Sequence, residues 1–336
     1  MQQYSFAPVN QIGSSDDLVA DLSDWIASAP LAALVAEFGT RPGDLTPAQL
    51  SDGATPLAER FAALDRFTDR WDTRVDPVTG KPRERNQADE LPLTAGQEAL
   101  ALAAADAFGM RHVHPPRHAE YDYLFMLGGL VRACFNRPDY AGRLVKDKVI
   151  TVENVVALGG HRPFVGDEPA LSAAAGHPDL VDEFGALDRG TRVAFGLGEP
   201  YEVEGERSEL VGGAWDVRHY RTAEGLPVTV AAAPSSDPAN RRANTPDSYE
   251  WFAKKFAHVT AGQRVLAITT PIYVNQQHAA ALRMLGLPYG VEVETIGADP
   301  DLAPDALKQP FSPSKYLMEI RSTVQAFRGL LDTVGR

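Results

Sequence analysis

The chain has 336 residues, a formal net charge of −13 and a single cysteine, Cys134. That acidic balance argues against a nucleic-acid-binding surface, which needs a basic patch to displace counterions, and one cysteine excludes an intrachain disulfide or a cysteine-based zinc cluster. No stretch approaches 18 consecutive apolar residues, and Met1 to Asp17 has neither a basic n-region nor an apolar core, so the expectation is a cytoplasmic protein with no membrane anchor.

In chain order, Leu18, Val19, Leu22, Trp25 and Ile26 fall at helical spacing behind Ser14 or Ser15 as N-cap, with Asp16 and Asp17 in the first turn. A second short helix covers Leu31 to Phe38 and stops at Gly39, and a third covers Pro56 to Trp71, with Leu57, Phe61, Leu64, Phe67 and Trp71 on one face. Asp76 to Pro92 turns polar and carries Pro77, Gly80 and Pro82, which reads as an exposed loop. Thr94 and Gln97 form a capping-box pattern before an alanine-rich helix to about Met110. His112, His114 and His118 flank Pro115-Pro116, whose extended backbone would not converge the three rings, so a linker is expected there and no metal.

The apolar runs Tyr-Leu-Phe-Met-Leu before Gly128-Gly129 and Asn-Val-Val-Ala-Leu before Gly159-Gly160 read as strands buried on both faces, the mark of a parallel sheet. A glycine pair at a strand's carboxyl end lets backbone N–H groups approach a ligand, and a following helix N-terminus favours anions. Arg132, Asn136 and Arg137 follow the first pair, with a helix expected from about Pro138 to Val145. His161 and Arg162 follow the second pair, repeating the order of glycine, glycine and cation. Arginine beside free N–H groups suits a phosphate or carboxylate clamp, so these turns are the candidate anion site.

Asp167 to Arg207 reads as a helix near Leu180 to Leu187 and a loop rich in Gly and Glu. Arg218 to Thr222 and Pro227 to Ala233 form a hairpin about Ala223-Glu224-Gly225. Thr245 caps a helix from Pro246 to Ala257, and Arg264 to Thr269 is a buried strand ending at Thr270, Pro271, Ile272 and Tyr273. A helix from about Asn275 to Leu285, a strand from Val291 to Ile296 and an amphipathic helix from Tyr316 to Thr333 close the chain. On that last helix Tyr316, Glu319 and Arg321 are polar groups on an otherwise apolar element, which places Glu319 among the candidate ligand contacts.

Between Tyr121 and Ile296 these pieces resemble the YdcF/SanA-like family, bacterial domains built on a Rossmann-like sheet. The resemblance rests on Leu127-Gly128-Gly129 followed by Arg137, Ala141 and Leu144, on Gly159-Gly160, on Asn244-Thr245 opening a helix, and on a Thr-ended strand leading to Tyr273. The sequence departs from the family after that tyrosine, where Val274, Asn275, Gln276 and Gln277 stand in place of a basic residue and His278 is displaced. The resemblance implies an acidic residue between the second and third strands, at Glu183, and one cleft at the carboxyl edge of the sheet. The fold it implies is α/β, a Rossmann-like three-layer domain with a mostly parallel sheet over 116–336, carrying a β-hairpin insertion near 215–233 and the C-terminal helix, behind a helical N-terminal extension over 1–115.

The leading expectation is an enzyme, a hydrolase or transferase, acting on a nucleotide-like or phosphorylated substrate. Its ligand contacts are Gly128, Gly129, Arg132, Arg137, Gly159, Gly160, Arg162, Asn244, Thr245, Thr270, Tyr273, Asn275, Gln276 and Glu319, and its acid/base candidates are Glu183, His161 and His278. The alternatives are a non-catalytic protein binding S-adenosylmethionine or a nucleotide, and an interaction protein whose helical extension docks a partner; oligomerisation stays open. With no Gly-x-Gly-x-x-Gly and no Gly-x-Ser-x-Gly, a standard NAD-dependent dehydrogenase and a serine hydrolase are disfavoured.

Overall fold

The structure, a computed structural model, describes residues 15–76, 79–80, 83–257 and 259–335; Ser14, Pro77 and Pro82 of the readings above lie outside them. The chain divides into two compact units. One comprises residues 15–112, Pro271–Arg283 and 310–335, and the other Val113–Thr270 and Met284–Gln309. The later segments of the first unit were assigned from sequence to the second domain.

The amino-terminal helices are α1 (Ser15–Ile26), α2 (Ala29–Phe38), α3 (Pro47–Leu50), α4 (Leu57–Thr68) and α5 (Ala95–Ala107). Next come β1 (Glu120–Leu127), α6 (Val131–Lys146), β2 (Thr151–Gly159), α7 (Glu168–Ala174), α8 (Glu183–Phe195), β3 (Glu202–Glu206), β4 (Trp215–Arg221) and β5 (Pro227–Ala232). The chain closes through α9 (Thr245–Phe252), β6 (Arg264–Thr269), α10 (Val274–Ala281), α11 (Leu287–Tyr289), β7 (Glu292–Gly297) and α12 (Pro313–Val334).

In the first unit α12 is buried along most of its length and packs against α1, α4, α5 and α10. Trp25 of α1 meets Phe61, Phe108 and Phe327, with ring centroids 4.9 to 6.3 Å apart. Arg321 crosses from α12 to Asp65, Asp69 and Asp72 at 3.4, 2.6 and 3.1 Å, so its buried charge is compensated where it is desolvated. No single helix among the described residues is long and apolar enough to cross a membrane; Asp16–Ile26 and Ala29–Phe38, bent by 43°, pass that test by length and composition only as a pair.

The second unit is mixed α/β. Among its described residues seven strands form one sheet in the order β3-β4-β5-β2-β1-β6-β7. β5, β2, β1, β6 and β7 are mutually parallel, and β3 and β4 extend the sheet as an antiparallel pair beside β5. The expected neighbours Tyr123, Val155, Val230 and Leu266 do lie on four adjacent strands. Leu124 and Met126 face a core shared with α6 and α8, whereas Phe125 on the other face meets Tyr249 and Phe252 of α9 at 6.0 and 5.6 Å, consistent with a three-layer fold.

The sequence reading did not expect α3 or α7 and placed α8 near Leu180 to Leu187, whereas it runs from Glu183 to Phe195; two further elements differ for identifiable physical reasons. The helix expected from Pro138 begins at Val131 and keeps Pro138 inside it. A proline there cannot donate to the carbonyl four residues back, that of Cys134, and Gly190 of α8 packs against this same carbonyl, where a Cβ would run into it. A Cβ at Gly142 would likewise come within 2.8 Å of Ala194 O, so α6 and α8 approach through two glycines. The second difference is β3, read as loop: Glu202, Val203, Gly205 and Glu206 are exposed at the sheet's edge, so no burial pattern marks it.

Gly190→Ala is expected to destabilise the fold by about 1 to 3 kcal/mol, because backbone rather than a flexible side chain must yield. Gly198→Ala, whose Cβ has nothing within 4 Å, serves as the neutral control in urea melts.

Candidate functional site

The parallel strands end together at Leu127, Gly159, Ala232, Thr269 and Gly297, and Gly128, Gly129, Gly159, Arg137, Arg162 and Glu183 gather around the first two ends. Pairing continues past the strands through Gly128 N to Leu158 O at 2.6 Å and Ala233 N to Gly159 O at 3.2 Å. Glu183 opens α8 behind Asp182, which caps the helix by accepting from Gly185 N at 2.8 Å. Its carboxylate lies over both strand ends. A Cβ on Gly128 would run into Glu183 Oε1, and a Cβ on Gly159 would sit 2.9 Å from Leu187 Cδ2 and 3.3 Å from the same oxygen. Glycine is needed at both positions to admit the carboxylate.

Arg162 organises this edge from a buried position. Its Nη1 and Nη2 donate to Glu168 Oε2 and Oε1 at 2.6 and 2.8 Å, its Nε donates to Glu183 Oε2 at 3.0 Å, and Nη2 also reaches Gly129 O at 2.9 Å. Glu168, 1% exposed, accepts in addition from Val131 N at 2.9 Å and Val165 N at 3.0 Å. The anion at the N-terminus of α6 is therefore one of the protein's own carboxylates. Burial opposes the charge on Arg162, but bonds to Glu168 and Glu183 outweigh it and raise its pKa. Burial pushes the Glu183 pKa above the usual carboxylate value, against the lowering pull of Arg162 and of Arg242.

Arg137 is also buried. Its Nη1 donates to Leu127 O and Gly128 O at 2.7 and 2.6 Å, and Nη2 donates to Thr270 Oγ1 at 3.0 Å, tying the end of β1 to the end of β6. The Thr269 hydroxyl, at the end of β6 and fully buried, has no hydrogen-bond partner among the described residues. Gly129, at φ +157, lies against the Arg137 guanidinium, whereas a Cβ at Gly160 meets nothing within 4 Å. Gly160 is thus the open position on this edge.

Arg132 faces Asp167 at 3.4 Å. His161 Nε2 lies 2.8 Å from Asp216 Oδ2, close enough for an ion pair when the ring is protonated, but the two are not aligned as a hydrogen bond. Asn244 caps α9 reciprocally with Asp247: Asn244 Oδ1 accepts from Asp247 N at 3.1 Å, and Asp247 Oδ2 from Asn244 N at 2.9 Å. Thr245 is the first residue of that helix. Burial opposes the Asp247 charge, but hydrogen bonds from Arg241, Ser236 and the Asn244 backbone prevail and hold its pKa at about 2.

Tyr273, Asn275, Gln276, His278 and Glu319 belong to the first unit. Glu319, 1% exposed on α12, accepts from Arg85 Nε and Gln276 Nε2, both at 2.7 Å, and Arg85 lies 5.0 Å over the Tyr273 ring. Asn275 Nδ2 donates to Phe108 O at 3.0 Å, and His278 is buried on α10. Among the described residues no group of three His, Cys, Asp or Glu side chains is placed to hold a metal ion.

The sequence reading missed Glu168 and Asp216. Glu168 follows Arg162 through a stretch with no periodicity, and Asp216 enters from an antiparallel strand, so neither has a spacing that announces it.

The second unit is thus a mixed α/β domain whose polar edge is organised by buried ion pairs. Residues 10–109 of the chain match the family described as the Rv3785 N-terminal domain. Over 341 residues the chain is 28% identical to the uncharacterized protein Rv3785 of Mycobacterium tuberculosis and equally to the uncharacterized protein Mb3814 of Mycobacterium bovis, covering 94% of this chain and 90% of each relative. These matches correct the YdcF/SanA-like resemblance. Its motifs were short strand-end glycine turns, which many parallel sheets share, and neither the family match nor these mycobacterial relatives carry that designation.

Glu168→Gln is expected to cost about 1.5 to 3 kcal/mol in urea unfolding, because it weakens the bidentate pairing with Arg162 and the bonds from Val131 N and Val165 N, and leaves Glu183 as the carboxylate partner of that guanidinium. Asp247 generates a pH prediction. Its folded pKa lies below the ordinary value of 3.8, so its contribution is complete above that value and lost as pH falls toward 2. Between about pH 5 and pH 2.5 the parent should lose more stability than Asp247→Asn; equal losses would refute this role.

Proposed function

We propose that the protein is an enzyme acting on a small anionic molecule at the carboxyl edge of β1 and β2, with Glu183 as its acid/base group. One observation carries the reading. Glu183 has one oxygen fixed by Arg162 and the other presented at two glycine turns, in surroundings that raise its pKa. A carboxyl group held in place with a raised pKa is what proton transfer near neutral pH requires. An anionic substrate is favoured by the positive field of Arg242, which reaches Glu183, and by the Arg137 guanidinium at the neighbouring strand end.

We read the parallel strands as Rossmann-like. In chain order they lie third, second, first, fourth and fifth, which reverses direction between β1 and β6. Open sheets of this order take ligands in the crevice at that reversal, here lined by Gly129, Thr270 and Arg137. Nucleotides, sugar phosphates and S-adenosylmethionine are the ligand classes to try first. Binding without turnover is the second reading, favoured by the internal engagement of Arg162 and Glu168.

The test is a thermal-shift screen over those classes, in which a ligand at a hundredfold excess over its dissociation constant stabilises by about 2.7 kcal/mol. Gly160→Val places a side chain in open space, so it should melt cooperatively like the parent yet lose the ligand. Glu183→Gln should keep the ligand and lose its conversion, followed by product analysis. A ligand bound equally well by Gly160→Val and the parent would rule out this edge. Conversion undiminished in Glu183→Gln would rule out the acid/base role.

A further inference from the structure

At the antiparallel end of the sheet the second unit carries a second cluster that the proposed reaction does not use. The rings of Trp215 on β4 and of Trp251 and Phe256 beyond it are partly exposed and neighbours in sequence of contact: Trp215 to Trp251 at 5.6 Å and 54°, Trp251 to Phe256 at 5.0 Å and 63°. Rings inclined at such angles form a corner rather than a stack. An ammonium group already sits in it, for Lys255 Nζ lies 3.0 Å from the Trp215 centroid, 5.4 Å from Trp251 and 5.1 Å from Phe256. All three distances fall within the range in which a cation is drawn to the negative face of a ring.

The rim is acidic. Glu206 pairs with Trp215 and Glu202 with His219 in the β3–β4 register, so Glu202, Glu204 and Glu206 share a face with both rings. Glu206 Oε2 accepts from Trp215 Nε1 at 3.3 Å, and Glu204 Oε1 lies 3.3 Å from His219 Nε2. Aromatic faces with carboxylates on the same sheet face, one of them bonded to the Trp215 ring edge, favour a cation over an anion. They suit best a cation that loses little hydration, which a methylated ammonium does and a primary amine does not.

We propose that Trp215, Trp251 and Phe256 form a recognition site for a methylated ammonium group, which the exposed Lys255 occupies when no ligand is present. Lys255 is borne on the chain between two of the rings, on a flexible four-carbon stem, and can swing out to solvent. It competes as an intramolecular ligand at an effective concentration in the millimolar range, about what a short tether provides. Removing its ammonium should therefore expose the site.

The experiment titrates tetramethylammonium, choline and Nε-trimethyllysine amide into the full chain, following the N-methyl proton resonance, which stacking over the indole faces moves upfield. The neutral carbon isostere of choline is the control for apolar burial. Lys255→Ala should bind tetramethylammonium about tenfold more tightly than the parent, and Trp215→Ala in that background should weaken it about tenfold. Should Trp215→Ala not fold, Trp215→Phe retains an apolar ring with a weaker quadrupole and must still bind less tightly. Tighter binding of choline marks a free small molecule as the source and tighter binding of the trimethyllysine amide a modified protein segment; either supports the site. The proposal is overturned if Lys255→Ala binds tetramethylammonium no more tightly than the parent, or binds choline no more tightly than its neutral isostere.

Discussion

The buried ion pairing of Arg162 with Glu168 and Glu183 is the interaction on which the polar edge of the sheet depends. One guanidinium faces two carboxylates, and the three do not share charge evenly. Glu168 has the bidentate pairing, two backbone N–H donors and the positive end of α6. Glu183 receives a single bond from Nε. The surplus negative charge therefore resides on Glu183, and burial makes its neutral form easier to reach. Removing charge from either side of such a group costs more than the pair contributes, so the arrangement fixes geometry more than it adds stability.

That geometry explains the glycines. Gly128 and Gly159 are required by the Glu183 carboxylate, Gly129 by its backbone conformation, and Gly160 by no neighbouring protein atom. Of four residues that look alike in sequence, three thus have one of two physical explanations, and Gly160 has none within the protein. The pairs Gly128-Gly129 and Gly159-Gly160 bring main chain close to side chains of the protein itself at three of the four positions, and leave one facing open space.

Much of the sheet was legible because its central strands are buried on both faces, so runs such as Tyr123 to Leu127 and Val155 to Leu158 carry continuous apolar character. α4 and α12 were legible from their apolar faces. β3 was not, because at the sheet's edge Glu202 to Glu206 bury little. The start of α6 was misplaced because Pro138 looks like a first-turn proline, whereas its missing N–H is accommodated at the α6–α8 contact. At the site, Gly128, Gly159, Arg137, Arg162 and Glu183 were marked by their positions at strand ends or by resemblance, and the structure gathers them at one edge. What Arg162 binds was not legible, since Glu168 is brought to it by the fold of 163–168 and by the helix N-terminus it caps.

The internal anion at α6 also limits how a ligand can bind. In many α/β proteins the helix after the first strand offers its N-terminal N–H groups to a phosphate. Here Val131 N is bonded to Glu168, and a phosphate at that position would face a buried carboxylate at close range. An anion entering this edge must therefore be held away from the start of α6, toward Arg137, Thr270 and the field of Arg242. Arg137 and Thr270 lie where the strand order reverses. Under the proposed reading the same constraint separates the two roles that arginine was expected to combine: Arg162 would position the acid/base carboxylate from within, and the charge that attracts substrate would come from other residues.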